Sequence, residues 1–222
     1  MRRRDFIGLL SGVVTAASPI AALPAPAAAQ AAPSAPSLTD VMQLLAQKKY
    51  ADAITRLNTV LAADPRNETA LRLRVAASLS LSHFVEARTD IDTLLKTRPK
   101  DSVLLVQRSV TSIGMHQLVQ ATADANEALA VDPNNAAAYV CRGMASRMSG
   151  KFRDAIVDQD RSISLNDKDY MAFSERGRDY VGLGQFDKAL VEFDRALVLN
   201  PLSDETRELR RLTIQQRLTP AK

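Results

Sequence analysis

The stretch that decides the fold is residues 170–203, which read YMAFSERGRDYVGLGQFDKALVEFDRALVLNPLS. The proline near its end belongs to a series whose first three members are 34 residues apart and whose last follows after 68: Pro65, Pro99, Pro133 and Pro201. Alanines keep the same interval of 34 along the chain: Ala53, Ala87, Ala121, Ala155 and Ala189. Self-similarity at a fixed period of this length indicates an array of similar structural units.

Five units fit the chain without an insertion: 34–67, 68–101, 102–135, 136–169 and 170–203. We number residues from 1 to 34 within each of these repeats. In the fifth repeat, positions 4, 8, 11, 15, 17, 20, 24, 27 and 32 hold Phe173, Gly177, Tyr180, Gly184, Phe186, Ala189, Phe193, Ala196 and Pro201. This pattern resembles the tetratricopeptide repeat (TPR), a helix–turn–helix unit. Five repeats of 34 residues account for 170 of the 222 residues.

The resemblance implies an all-α fold: a right-handed solenoid of five repeats, each with a helix A and a helix B, followed by a capping helix. Alanine at position 20 suits the closest approach of helix B to helix A, where a larger side chain would push them apart. Proline at position 32 has no N–H with which to continue helix B. We predict the capping helix over 204–218, with leucines on its inner side and charged residues facing water: Leu209, Leu212 and Leu218 against Glu205, Arg207, Glu208, Arg210, Arg211 and Arg217.

The composition argues against most catalytic and metal chemistry. The chain has 2 His, 1 Cys and 8 Gly, so that a zinc site, an internal disulfide and a glycine-rich phosphate loop have no support. His83 and His116 fall in turns between helices A and B, and Cys141 lies at an inward-facing position. No Gly-x-Ser-x-Gly motif occurs. We therefore predict no enzyme activity, no metal and no cofactor.

Hydrophobic residues make up 46% of the chain and aromatic residues only 5%, a balance that favours helices over sheets. The net charge is +4. Leaving out Arg2, Arg3, Arg4 and Asp5 gives 4 − 3 + 1, or +2. The rest of the sequence has no long run of residues with the same charge, so the charge does not indicate a nucleic-acid partner.

The first 31 residues have the order of a secretory signal peptide. Arg2–Arg4 are basic, Ile7–Leu23 is uncharged and apolar, and small residues allow cleavage after Ala29 or Ala31. Arg3 and Arg4, followed by Asp5-Phe6-Ile7, resemble the twin-arginine export motif. The apolar stretch is short for a membrane span, although an uncut anchor is the alternative. We predict a periplasmic protein with no span in the mature chain and with a Pro/Ala/Ser tether at 32–36.

A charge pair follows the repeat. In repeats two to five, position 7 is basic and position 23 acidic: Arg74, Arg108, Arg142 and Arg176 against Asp90, Asp124, Asp158 and Glu192. In the first repeat the signs are exchanged, with Asp40 at position 7 and Arg56 at position 23. This pattern predicts an ion pair repeated inside each hairpin or between neighbours. The alternative is that both positions are solvated and match by chance.

The resemblance also implies that helices A line a concave groove that binds peptides, with positions 2, 5, 6, 9, 12 and 13 facing it. The carboxylate clamp of one subclass needs Asn at position 9, which this chain lacks. The groove positions are apolar with a few arginines, and methionine adapts to varied partners. We predict these peptide-binding residues: Met42, Leu45, Arg72, Val106, Val110, Val140, Met144, Arg147, Met148, Met171 and Arg178. Two alternatives stay open: internal packing of these side chains, and self-association.

The function predicted from these features is that of an exported adaptor or scaffold that binds a protein or peptide segment in the apolar groove. Resemblance to exported TPR proteins implies a role in assembling an envelope or secretion complex. One alternative is a non-catalytic subunit that presents a substrate to a separate enzyme. The other is a structural module that assembles with copies of itself.

Overall fold

The computed structural model describes residues 37–219, and within this range the regular structure is entirely helical. Its helices are α1 (Leu38–Ala46), α2 (Tyr50–Ala63), α3 (Glu68–Ser80), α4 (Phe84–Thr97), α5 (Ser102–Gly114), α6 (Leu118–Val131), α7 (Ala136–Met148), α8 (Phe152–Leu165), α9 (Tyr170–Gly182), α10 (Phe186–Leu199) and α11 (Asp204–Leu218). Odd-numbered helices up to α9 are helices A, and their successors are helices B. The predicted all-α fold of consecutive helix pairs is confirmed. None of these described helices is long and apolar enough to cross a membrane.

The chain divides within α4 into two compact units. In the N-terminal unit, described from residue 37 to 93, α2 packs against α1 and α3, and α1 also touches α3. In the C-terminal unit, described from residue 94 to 219, each helix from α5 to α11 packs against the next. Within that unit α5, α7, α9 and α11 also contact one another in order. The predicted signal peptide and tether, residues 1–36, lie outside the described residues.

Helices A begin at the same register because position 34 supplies a capping side chain. The caps are Asn67, Asp101, Asn135, Asp169 and Ser203, and each accepts a backbone N–H from two or three residues further on. Such acceptors satisfy N–H groups that have no partner inside the helix. Helix α1 is the exception, because it begins at Leu38 after the cap Ser37, later in register than the other helices A.

Helices A end at position 13, and two residues later, at position 15, the backbone turns left-handed in all five repeats. The φ angles are +57° to +76°, at Lys48, Ser82, His116, Gly150 and Gly184. The following N–H then reaches back to a carbonyl five residues earlier, as in the 2.8 Å bond from Gln117 to Ser112. Glycine adopts this conformation without a Cβ clash, whereas Lys, Ser and His do so at a cost. His83 and His116 are exposed in these turns, as predicted.

The helices of a hairpin approach closely through small residues. The position 20 alanines are completely buried in every repeat: Ala53, Ala87, Ala121, Ala155 and Ala189. Position 8 is glycine in the last two repeats. A Cβ on Gly177 would lie 2.6 Å from the ring of Phe193, and one on Gly143 would lie 2.6 Å from Nε2 of Gln159. A methyl group at either position would therefore push helix B away from helix A.

Helix α11 closes the last repeat with a polar outer face. At the register of Gly143 and Gly177 it carries the exposed Arg211, which pairs with Glu208 at 2.6 Å, so this position of α11 is charged and faces solvent. Its buried residues are Thr206 and Thr213. The predicted inner side of Leu209, Leu212 and Leu218 is therefore wrong in part, because Leu212 and Leu218 are exposed. The contact face of α11 is rotated toward the threonines.

Candidate functional site

The predicted charge pairs form inside four hairpins. The shortest nitrogen–oxygen distances are 2.7 Å for Arg74–Asp90, 2.8 Å for Arg108–Asp124, 2.6 Å for Arg142–Asp158 and 2.7 Å for Arg176–Glu192. Each carboxylate is largely shielded from solvent, while the arginine keeps some exposure. The prediction of a repeated pair is confirmed for repeats two to five.

The same arginines also reach helix B of the preceding repeat, at position 25. The distances are 2.7 Å for Arg74–Asn58, 2.8 Å for Arg142–Asn126 and 2.6 Å for Arg176–Asp160. Arg210 of α11 lies where the next position 7 would fall, and its Nε donates to Oδ1 of Asp194, at position 25 of the fifth repeat, at 2.5 Å. We call the position 7 arginines, with Arg210, the arginine series. Most of its members bridge two helices B from one helix A, which shows a structural role.

The first repeat departs from this pattern. Among the described residues no ion pair joins Asp40 and Arg56, and both side chains are exposed. Asp40 lies in the first turn of α1, where its backbone N–H donates to Ser37 Oγ at 3.3 Å. An acidic side chain in a first turn is already favoured by the helix dipole. The predicted pair in repeat one is therefore wrong.

The predicted groove residues are divided by burial. Five of the apolar ones are buried and present no surface: Val106, Val110, Val140, Met144 and Met171. They belong to α5, α7 and α9, whose helix A faces pack against one another, so these side chains form part of the core. The prediction that they line an open apolar groove is corrected accordingly. Charged substitutions there would disrupt packing instead of testing binding.

The other predicted residues keep contact with solvent. Met42 is 47% exposed, and Leu45, Arg72, Arg147, Met148 and Arg178 are half-buried. Arg72 lies on α3 and donates through Nε to Glu68 at 3.0 Å. In the N-terminal unit, Met42 and Leu45 stand one turn apart on α1, whose Val41 is fully buried. This part of the helix A surface combines apolar contact area with a cation.

Cys141 is a core residue. It is completely buried on α7, and burial raises the pKa of its thiol to about 12. A thiol of this kind is almost entirely protonated at neutral pH and reacts slowly.

In the C-terminal unit, Arg147 and Arg178 belong to a charged cluster with three acids that sequence reasoning missed: Glu175, Asp179 and Glu205. Arg147 of α7 donates to Oε2 of Glu175 of α9, from Nη2 at 3.0 Å and from Nε at 3.2 Å. Arg178 of α9 pairs with Glu205 of α11. The cluster thus joins the helices A α7 and α9 with the capping helix α11, and it occupies the two arginines with internal partners.

Asp179 is the unusual member of the charged cluster. It is completely buried, and neither carboxylate oxygen has a hydrogen bond. Burial, and after it the negative charge of Glu175, raises its pKa to about 8 against the opposing effects of Arg147 and Arg178. The sequence signals for the cluster are the predicted groove residues Arg147 and Arg178 and an acid at position 6 of helix A, Glu175.

No group of three or more His, Cys, Asp or Glu side chains in residues 37–219 is arranged to hold a metal ion.

Comparison with known proteins agrees with the repeat pattern. Residues 44–105 match the family model for the tetratricopeptide repeat. No curated protein sequence matches the chain.

Solved structures of TPR proteins share the fold. A thermophilic TPR protein from Thermus thermophilus is 22% identical, with a TM-score of 0.70 over 80% of this chain and 97% of that one. YrrB, a TPR protein with an unusual peptide-binding site, is 17% identical, with a TM-score of 0.54 over 78% of this chain and 89% of that one. The first TPR of Spaghetti (RPAP3), bound to the HSP90 peptide SRMEEVD, is 22% identical, with a TM-score of 0.50 over 53% of this chain and 94% of that one. The chain therefore has the TPR fold.

Proposed function

We propose that the chain is an exported, non-enzymatic adaptor that binds an apolar segment of another protein through the helix A surface of its N-terminal unit. The observation that carries the proposal is the exposure of Met42, a large apolar side chain that is 47% accessible on α1, the helix whose Val41 is fully buried. Burying a large apolar side chain against a partner is favourable in proportion to the apolar area removed from water.

The neighbouring side chains suit such a segment. Leu45 extends the apolar area one turn along α1, and the part-exposed Arg72 lies on the next helix A. Methionine adjusts its shape to different partners at small cost. Two proteins that share this fold, YrrB and the first TPR of Spaghetti, are described as peptide-binding. Their function supports a peptide or protein ligand here by analogy of fold.

The N-terminal unit is a better candidate than the C-terminal one for a physical reason. In the C-terminal unit most of the predicted apolar helix A residues are buried, although Met148 is half-buried, and Arg147 and Arg178 already have carboxylate partners. A ligand there would have to break ion pairs that are largely shielded from water, which is costly. In the N-terminal unit a ligand would bury side chains that already face solvent.

The test is site-specific photo-crosslinking in the cells that make the protein. A benzophenone amino acid replaces Met42 in one variant and, as matched control, the exposed Val85 of α4 in another. We expect a discrete crosslinked partner from position 42 and none from position 85. Met42→Glu should reduce capture of that partner at least tenfold, while Val85→Glu should not, and circular dichroism should be unchanged in both. Equal crosslinking from the two positions would contradict the proposal. A product of twice the chain mass would assign the surface to self-association.

Export is part of the same proposal, with residues 1–31 as a signal peptide and the periplasm as destination. The support is the order of basic, apolar and small residues before Gln30 and Ala32. The mature chain would begin at one of these two residues, and it would assemble with an envelope or secretion complex. Mass spectrometry of the protein captured in the crosslinking experiment measures its first residue. A captured chain that still begins at Met1 in the cytoplasmic fraction would refute export without affecting the adaptor proposal.

A further inference from the structure

The further inference concerns Asp179 and the charged cluster around it. Asp179 lies on α9, is 0% exposed, and has no hydrogen bond at either oxygen. The nearest cation is Arg147, whose Nε stands 3.7 Å from Oδ1, beyond hydrogen-bond distance. A buried carboxylate without a donor is strongly disfavoured in its charged form.

Arg147 cannot satisfy Asp179 because Glu175 holds it. Glu175 lies one turn earlier on the same helix and accepts from both Nε and Nη2 of Arg147. The other neighbouring cation, Arg178, is paired with Glu205 of α11 and lies 3.6 Å from Glu175. Two buried carboxylates therefore face one guanidinium, and the geometry favours Glu175.

The remaining helices packed against α9 supply no further cation to Asp179. On α8, Asp158 adds negative charge and is itself held by Arg142 of α7 at 2.6 Å. On α10, Glu192 is held by Arg176 at 2.7 Å. The proton is thus the simplest means of neutralising this carboxylate.

We propose that Asp179 is a pH-sensitive switch of the C-terminal unit: protonated, it keeps α9 packed between α7, α8 and α11, and ionised, it weakens that packing. The acidity of the group agrees with this geometry. Burial, and after it the charge of Glu175, raises the pKa of Asp179 from 3.8 to about 8.

The sign of the pH effect follows from linkage. Because the packed form binds the proton more tightly than an opened form, the contribution of Asp179 to packing is fully present below pH 3.8. It decreases as the pH rises and is lost near pH 8, above which it does not change further. Between these limits the equilibrium constant for opening α9 rises about tenfold for each pH unit. The packing of α9 against its neighbouring helices is therefore most stable at acidic pH.

The test is hydrogen exchange of the whole chain at pH 5, 6, 7, 8 and 9, with wild type compared to Asp179→Asn at each pH so that the intrinsic exchange rate cancels. The asparagine keeps the shape and cannot ionise. We expect the wild-type-to-variant ratio of exchange rates in α9 and α11 to rise with pH and to level off near pH 8. The ratio in α2 of the N-terminal unit should stay at one. A ratio in α9 that does not change with pH would overturn the proposal.

A second variant tests the shared arginine. Glu175→Gln removes the competing negative charge and lets Arg147 approach Asp179. The carboxyl group of Asp179 should then ionise at lower pH, and the exchange-rate ratio in α9 should level off at lower pH than in the wild type. The carboxyl carbon signal of Asp179 in NMR reports this shift directly. As matched control, Asp167→Asn removes an exposed acid from the turn before α9 and should leave the exchange pattern unchanged. An Asp179 signal that titrates near 4, as an ordinary aspartate does, would also overturn the proposal.

Discussion

Two sets of arginine–carboxylate pairs, those of the arginine series and those of the charged cluster, differ in one respect. In the arginine series the partners recur at the same register, and Asp124 accepts hydrogen bonds from Arg108, Gln120 and Ser112. In the charged cluster the acids do not recur from repeat to repeat, and Asp179 accepts no hydrogen bond. The residue types and burial are alike, so the difference lies in whether each carboxylate has its donors.

The comparison shows that burial alone does not give a charge a structural role. A buried pair is tolerated when hydrogen bonds compensate the lost hydration of both ions. The arginine series meets this condition in successive repeats and holds helices together. The charged cluster leaves one acid uncompensated, and an uncompensated buried acid responds to pH. Three experiments test whether a buried polar group needs its partners in this protein.

The largest effect is expected from breaking one pair of the arginine series. Arg108→Met leaves the fully buried Asp124 without its cation and should lower the free energy of unfolding by about 3 kcal/mol. Urea denaturation followed by circular dichroism measures the loss. Adding Asp124→Leu should restore most of it, because a neutral apolar pair of similar volume removes the buried charge. A loss below about 1 kcal/mol would mean that the pair is effectively solvated.

A smaller effect of opposite sign is expected at Gln159. It occupies position 24 on α8, where the fifth repeat has Phe193, and its buried amide makes no hydrogen bond. Gln159→Met keeps the volume and removes the unsatisfied polar atoms, so it should stabilise the protein by about 1–2 kcal/mol. The shift in midpoint on thermal unfolding checks this value. Destabilisation would show that the amide has a bound water as partner.

The smallest effect is expected in the first repeat. Asp40 and Arg56 carry the exchanged signs of the series but form no pair, and both are exposed. A double-mutant cycle with Asp40→Ala and Arg56→Ala should therefore give a coupling energy within about 0.5 kcal/mol of zero. The same cycle on Arg108 and Asp124 is the reference. A coupling of comparable size in the two cycles would show that the first repeat pairs in solution.

Most of the fold could be predicted from the sequence because its signals are local. The repeat of 34 places alanine at every closest approach of helices A and B, and all five alanines are buried. The turn at position 15 is signalled by Gly150 and Gly184, and the other repeats copy its backbone with Lys48, Ser82 and His116. The capping helix was expected at 204–218, although its inner face was assigned to leucines instead of Thr206 and Thr213.

The candidate site could be predicted only in part. Repeat position identified Met42 and Arg72 as helix A surface residues, but it also assigned Val110, Val140 and Met144 to an open groove, where the structure buries them. Repeat position states which way a side chain points from its helix. It does not state how closely the next helix A approaches, and that distance decides whether the side chain contacts solvent or another helix.

The sequence by itself determined the repeat, the helix and turn positions and the existence of a repeated charge pair in repeats two to five, because these depend on residues at constant separations of 16 and 34 along the chain. The structure decided that the pairs form inside the hairpins. The tertiary structure decided which helix A residues are accessible, and it brought Arg147, Glu175 and Asp179 together from two helices. These contacts depend on the distance and rotation between neighbouring helices. Small side chains such as Gly143 and Gly177 permit that approach, but only the assembled packing decides which side chains it buries.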